Sequence, residues 1–387
     1  MRIGMVTHAF PRFEGDMAGV FIDLLARALI ERGHDLHVIT PSDAGNGGVI
    51  DWYGIAVHRV RYAPKRFERL AHRGTMVEAA RSPIGALTLL SLVGALRRSA
   101  KALVKKEGLD VVHAHWWVPS GVAVWRASEN TGSPYVVTVH GTDARLLGLL
   151  PGASWLGRRV FGRASASTAV SKFLADRVRT EVGDIPITVQ PMPIDTRGFL
   201  SPSRGGGGVV TVGRLSAQKR IGDLIDAMRV LRDRGTNVPL TIIGDGVERA
   251  ALESHARDSN IDAQFVGRVP TTELSERLSE MDVCVMPAER EGLGLAAIEA
   301  LIAGVPVVVT EEGGGLLDIV GEGDYGKVVP ARHPDALADA VETFLDNPLA
   351  REAAAAAGKQ WRAALDPDVV AESFERIYES VTRQVRS

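Results

Sequence analysis

A single cysteine, Cys284, stands among the 387 residues, so no internal disulfide can form and a reducing compartment is expected. It lies in an apolar strand pattern and reads as a small buried hydrophobe. Neither sign of charge prevails: a formal net charge of -2 lacks the basic surplus of a nucleic-acid binder, so no nucleic-acid partner is expected. Long apolar runs are missing too. The longest, residues 84–96, falls short of the about 20 residues that a membrane-spanning helix needs, and reads either as core or as a helix lying on a membrane. No charged-then-apolar leader with a cleavage site opens the chain, because residues 2–7 already read as a strand. The expected location is cytoplasmic, with the inner face of the membrane as its farthest extension. Metal-ligand clusters are scarce: His113 and His115 alternate at strand spacing with no third ligand nearby in sequence, so no metal is expected.

What is present is a repeated alternation of short apolar runs, glycine-containing loops and helical stretches, in a chain long enough for two α/β domains. The first unit is a strand at residues 3–7, a loop with Gly15 and Gly19, a helix at 20–29 and a strand at 36–40. Turn chemistry alone accounts for those two glycines; close approach to a ligand is the other reading. Later runs end in His115-Trp116-Trp117 and in His140-Gly141-Thr142-Asp143. Core packing of the tryptophans and stacking on a sugar face are both open. The composition breaks at residues 191–208, where prolines and the glycines 205–208 read as a mobile linker. That divides the chain into domains at 1–190 and 209–366, with a final helix at 367–387.

The second domain opens on a strand at 209–212, followed by Gly213-Arg214 and, before the next helix, Lys219. Two cations, a glycine and helix N–H groups can cradle a diphosphate, although surface charge near a turn reads equally from spacing alone. Gly244-Asp245-Gly246 invites a dinucleotide reading, but Arg249 stands where the third glycine would be. After the apolar run 283–286 come two carboxylates, Glu291 and Glu299, separated by Gly292-Leu293-Gly294-Leu295 and Ala-Ala-Ile. Positions eight apart on one helix point about 80° apart, so Glu291 is expected in the loop and Glu299 inside a helix at 295–303. That helix is apolar almost all round, hence buried, and a carboxylate in it needs hydroxyl or N–H partners. A sugar offers hydroxyls; a helix N-terminus for Glu291 and a backbone or arginine partner for Glu299 are the bland alternative.

Between residues 61 and 106 the basic residues are Arg61, Lys65, Arg66, Arg69, Arg73, Arg81, Arg97, Arg98, Lys101, Lys105 and Lys106, against Glu68 and Glu78. This segment reads either as a solvated helix face or as a peripheral contact with anionic lipid.

Glu291-x7-Glu299 behind a strand, then Gly304-Val-Pro306 and Gly314-Gly315-Leu-Leu-Asp318, resembles the retaining GT-B glycosyltransferases of the GT4 group, over nearly the whole chain. The resemblance implies two facing Rossmann-like domains with an interdomain cleft, and a nucleotide-diphosphate sugar as donor substrate with no cofactor required. It assigns donor binding to Gly15, Gly19, Gly213, Arg214, Lys219, Gly244, Gly246, Glu291, Gly292, Leu293, Gly294, Leu295 and Glu299, and catalysis to His140, Arg214, Lys219 and Glu291. His115, Trp116, Trp117 and Asp143 become acceptor-side candidates, and the resemblance turns Lys172 toward the cleft. The acceptor implied is a glycan or a lipid-linked hydroxyl, in cell-envelope or exopolysaccharide assembly. Two departures stand out: Gly15 and Gly19 are not an adjacent pair, and Met192-Pro193 replaces Asn-Gly in the hinge. Asp366-Pro-Asp368 precedes the last helix and reads as helix-start chemistry rather than a metal signature. A GT-B sugar-nucleotide epimerase and a non-catalytic sugar-nucleotide-binding protein are the alternatives.

Overall fold

The computed structural model describes residues 1–72, 76, 80, 82–149, 151–199, 203–320 and 323–386, and the side chains up to 383. Arg73, Glu78 and Arg81 of the basic segment, and residues 200–202 of the expected linker, lie outside the described residues. The chain forms two compact units, Met1–Ile194 with Leu365–Ser387, and Asp195–Ala364.

The first unit is built on eight strands: β1 (Arg2–Val6), β2 (Asp35–Pro41), β3 (Gly48–Trp52), β4 (Ile55–Val60), β5 (Val111–His115), β6 (Tyr135–Val139), β7 (Ala166–Ala169) and β8 (Thr188–Val189). Their order is β3-β4-β2-β1-β5-β6-β7-β8, parallel except for the β3–β4 hairpin. From β1 the chain goes to β2 on one side and to β5 on the other, so the topological switch falls between β1 and β5. There the loops at the carboxyl ends diverge and leave a crevice. Central strands such as β6 are buried along their whole length, as parallel strands covered on both faces must be.

Local signals set the helices. Pro83–Glu107 starts on Ser82, whose side chain accepts from the Gly85 N–H, carries Pro83 in its first turn, and ends at Gly108 with φ +65°. The last helix, Pro367–Arg386, belongs to the first unit and packs on helix Val20–Glu31. Arg32 pairs with Glu375 at 2.7 Å and Asp368 at 2.8 Å, and the Tyr378 hydroxyl lies 2.7 Å from His113 Nδ1. Asp366 accepts from the Asp368 N–H at 2.9 Å, which is helix-start chemistry.

The second unit has six parallel strands in the order β11-β10-β9-β12-β13-β14: β9 (Val209–Val212), β10 (Leu240–Ile243), β11 (Ala263–Gly267), β12 (Val283–Met286), β13 (Val307–Thr310) and β14 (Gly326–Val329). Its switch point lies between β9 and β12. Cys284 is fully buried on β12, and burial helps push its thiol up to about 12. The glycine run that reads as mobile in the sequence is pinned: the Gly206 and Gly208 N–H groups donate to the Asp282 carboxylate at 2.8 and 2.9 Å. Positive φ at Gly205, Gly206 and Gly208 lets the backbone wrap that carboxylate.

Candidate functional site

Both switch points carry polar loops. In the second unit, β9 ends at Gly213, whose φ of +154° turns the chain sharply and whose missing Cβ would come within 3.2 Å of the Lys219 stem. A Cβ on Gly244, at the end of neighbouring β10, would meet the Gly213 carbonyl at 1.9 Å, and one on Gly246 would meet the Leu215 carbonyl at 2.1 Å. The two strand-end loops therefore pack backbone on backbone, which only glycine permits. Arg214 is exposed at the tip of the first loop.

From β12 the chain reaches Glu291 in a loop held by the Glu291 N–H donating to the Gly313 carbonyl at 3.0 Å and by the Gly315 N–H donating to the Glu291 carbonyl at 2.9 Å. This docking puts the Glu291 carboxylate 2.7 Å from Lys219 Nζ, so residues 72 apart in sequence form a half-buried ion pair. Gly294, with φ +96°, then opens helix Leu295–Ile302; a Cβ there would meet Leu316 at 2.3 Å. The first N–H groups of that helix have no intrahelical acceptor, and Leu295 and Ala296 remain half-buried beside the ion pair's loop. Gly292 and Leu293 complete the loop between Glu291 and the helix.

Glu299 lies inside that helix and faces β12 closely enough for its charge to raise the Cys284 pKa. It is half-buried, and desolvation pushes its carboxyl up to about 7. Among the described residues it has no hydrogen-bond or ion-pair partner. It is thus an acceptor group held inside protein and left unused by it.

In the first unit the crevice between β1 and β5 gathers histidines and aromatics. His8 follows β1, Trp116 follows β5 and His140 follows β6. The His8 and Trp116 rings are 4.1 Å apart, Trp116 and His140 are 4.5 Å apart, and Phe21 covers His140 at 5.1 Å. Burial holds His8 and His115 near about 3 and His140 well below its ordinary value, so all three imidazoles are neutral at pH 7. His115 Nδ1 sits 3.2 Å from His140 Nε2, while His115 Nε2 is buried with no partner. An orphan acceptor costs less than an orphan N–H, so the proton of His115 belongs on Nδ1. It donates to His140 Nε2. That leaves the His140 proton on Nδ1, which has no protein partner among the described residues and can donate to a ligand oxygen.

Asp143, buried, accepts from the backbone N–H groups of Trp117, His140 and Gly141 at 3.0–3.1 Å. Burial still pushes its carboxyl up to about 6. Asp143 therefore shapes the two loops that carry Trp116 and His140. Trp117 is 2% exposed, and its indole N–H donates to the Asp143 carbonyl at 2.7 Å. It packs in the interior, whereas Trp116, with φ +67°, is turned toward the crevice. Gly19, at φ +70°, leaves room for the Ala9 carbonyl beside the same crevice. Gly15 lies in an exposed turn with open space around it, where turn chemistry accounts for it.

Two crevice residues were not among the sequence candidates. His8 could have been found as the histidine two residues past an apolar strand, much as His140 directly follows β6. His72 comes from a distant loop, and no local pattern marks it; its ring bonds to the Pro41 carbonyl at 3.0 Å. Among the described residues no group of three or more His, Cys, Asp or Glu side chains could hold a metal ion, and no helix is long and apolar enough to cross a membrane.

Comparison with known proteins gives two family matches: residues 205–361 match "Glycosyl transferases group 1" and residues 18–197 match "Glycosyltransferase Family 4". The chain is 30% identical to a D-inositol 3-phosphate glycosyltransferase of Paenarthrobacter aurescens, over 87% of each protein. It is 28% identical to a glycogen synthase of Mycobacterium tuberculosis, over 100% of this chain and 96% of the other. Among solved structures, a sucrose-phosphate synthase from Thermosynechococcus elongatus superimposes with a TM-score of 0.78 at 21% identity, covering 99% of both chains.

Proposed function

Because the chain belongs to the glycosyl transferases group 1 family, and is a glycosyltransferase with the GT-B fold, we propose that it moves a sugar from a nucleotide-diphosphate sugar to an acceptor hydroxyl with retention of anomeric configuration. The observation that carries this reading is the Lys219–Glu291 pair at the switch point of the second sheet, with the unpartnered Glu299 on the helix that follows. Residues 209–366 are assigned to the donor and 1–190 to the acceptor, with 191–208 as the connection and 367–387 as the helix returning to the first domain.

The glycosidic C1–O bond to the diphosphate breaks while a C1–O bond to the acceptor forms on the same face. The acceptor proton passes to the departing phosphate oxygen, and a nucleoside diphosphate leaves. Charge grows on the diphosphate in the transition state, and Arg214, Lys219 and the first-turn N–H groups at Leu295 and Ala296 are the groups that stabilise it. Glu299 accepts from ribose hydroxyls, and Glu291 from hydroxyls of the sugar. His140, neutral and carrying its proton on Nδ1, donates to the transferred sugar and orients it. His115, Trp116 and Asp143 belong to the acceptor side, Asp143 through the loops it holds. We extend the proposal to peripheral membrane contact through the basic segment 61–106, and to cell-envelope or exopolysaccharide assembly as the setting.

The test is incubation with UDP-, GDP- and ADP-linked hexoses, with and without candidate hydroxyl acceptors, followed by NMR of the product. The expected result is loss of donor only when acceptor is supplied, with the new linkage in the donor's anomeric configuration. An inverted linkage removes the retention claim. A new sugar nucleotide formed without acceptor replaces transfer by epimerisation.

A further inference from the structure

Two cavities of the first unit adjoin. The crevice lined by His8, His72, Trp116 and Asp143 encloses about 240 Å³. Next to it lies a larger groove of about 580 Å³, walled by Leu89, Pro119, Leu149, Trp155 and Leu156. Val118 and Leu146 line both, so the chamber that holds His8, His72 and Asp143 passes into the apolar groove. A free sugar or small polyol has no use for such a wall.

The mouth of the groove is also unusual. Leu149 is 65% exposed and Trp155 56% exposed, with the Arg159 guanidinium 5.0 Å over the indole. Tryptophan is enriched at membrane–water interfaces, where its ring sits at headgroup level. Leu89 faces the groove from helix Pro83–Glu107, while Ile84, Leu87 and Leu90, about 100–160° around that helix from it, stand 60–69% exposed. At about 100° per residue, exposed Arg97, Arg98 and Lys105 fall on the same face as that apolar stripe, within an arc of about 140°. The helix thus presents greasy first turns followed by cationic ones. That is the order met by an element whose tip enters acyl chains while its later turns meet lipid phosphates.

We propose that the acceptor is an amphiphile taken from a lipid surface: its hydroxyl-bearing head fills the chamber at His8, His72 and Trp116, and its hydrocarbon chain lies in the groove between Leu89, Leu149 and Trp155. The position of the head rests on the glycosyltransferase reading; the chain site rests on the groove alone.

Binding of hexyl, octyl and decyl β-glucosides, each below its micelle-forming concentration, tests the chain site. Each methylene that enters the groove should tighten binding about fourfold, the equivalent of about 0.8 kcal/mol. Leu149→Glu and Trp155→Glu, both at exposed positions, should flatten that series while leaving the melting temperature in place. A flat series in the unaltered protein, or a series unchanged by both variants, overturns the proposal. A dimer in the unaltered protein that Leu149→Glu turns into a monomer overturns it in favour of a second copy on this face. The lipid source is read by co-sedimentation with phosphatidylglycerol vesicles. Leu87→Glu with Leu90→Glu should reduce it at least tenfold, and absence of sedimentation in the unaltered protein overturns that half. Stabilisation by UDP, GDP or ADP, measured on the same samples, separates the two claims. Nucleotide binding with a flat glucoside series defeats the amphiphile alone; a steep series without nucleotide binding defeats the donor reading alone.

Discussion

Removing the Lys219 ammonium should damage diphosphate binding far more than it damages the fold. The pair with Glu291 is half-buried at 2.7 Å, and pairs that keep solvent contact contribute at most about 1 kcal/mol to stability. Lys219→Ala should therefore lower the melting temperature by only a few degrees. Toward a nucleoside diphosphate the balance differs. The variant loses one charge-assisted hydrogen bond, about 1.5–3 kcal/mol, and leaves the Glu291 charge uncompensated. At about 6 Å and an effective dielectric of about 20, one unit charge on another is worth about 3 kcal/mol before salt screening, of which about 1 kcal/mol survives at physiological ionic strength. The sum, about 2.5–4 kcal/mol, predicts a roughly 70- to 850-fold loss of affinity for the nucleoside diphosphate that binds. Calorimetric titration of Lys219→Ala, Glu291→Ala and the double variant checks this. Glu291→Ala placed on Lys219→Ala should recover about fivefold, because it removes the stranded carboxylate. If Lys219→Ala binds the diphosphate as the unaltered protein does, or if the second substitution weakens binding further, the diphosphate does not lie at this pair.

Three further outcomes follow. Desolvation pushes the Glu299 carboxyl up to about 7 from about 4.5, so the folded state holds its proton more tightly than the unfolded one; stability should fall as pH rises from about 4.5 to about 7, by up to about 3 kcal/mol, and Glu299→Gln should remove that fall from the urea-unfolding profile. In the same pH window the ionised carboxylate becomes the better acceptor for ribose hydroxyls, so nucleotide affinity should rise more steeply with pH in the unaltered protein than in Glu299→Gln, which keeps only the contribution of the phosphate's own ionisation near about 6. Asp143→Asn replaces an acceptor oxygen with an N–H₂ facing backbone donors at 3.0–3.1 Å, and should cost about 1–3 kcal/mol in chemical denaturation. Gly294→Ala forces a Cβ to within 2.3 Å of Leu316 at a φ of +96°, so it should destabilise by more than about 1 kcal/mol and weaken nucleotide binding with it; an unchanged unfolding midpoint would remove the strain argument.

By itself the sequence determined what depends on neighbours along the chain. Apolar runs of four or five residues between glycine-containing turns become the parallel strands, because a strand covered on both faces must be apolar throughout. Ser82, Pro83 and Gly108 bound their helix through local capping geometry. Glu291 in a loop and Glu299 in a helix also follow from periodicity, since the backbone alone decides whether two positions share a helical face. Tertiary structure decided what those groups meet. Nothing local brings Lys219 to Glu291 across 72 residues, sends Trp117 inward while Trp116 turns to the crevice, or ties glycines 206 and 208 to Asp282. Each of those contacts is created by which strands lie side by side, and strand order is a property of the whole packed sheet. The same reason hid His72 from the candidates and the apolar groove from view. Its wall is assembled from residues 76 to 156, and no one segment carries its pattern.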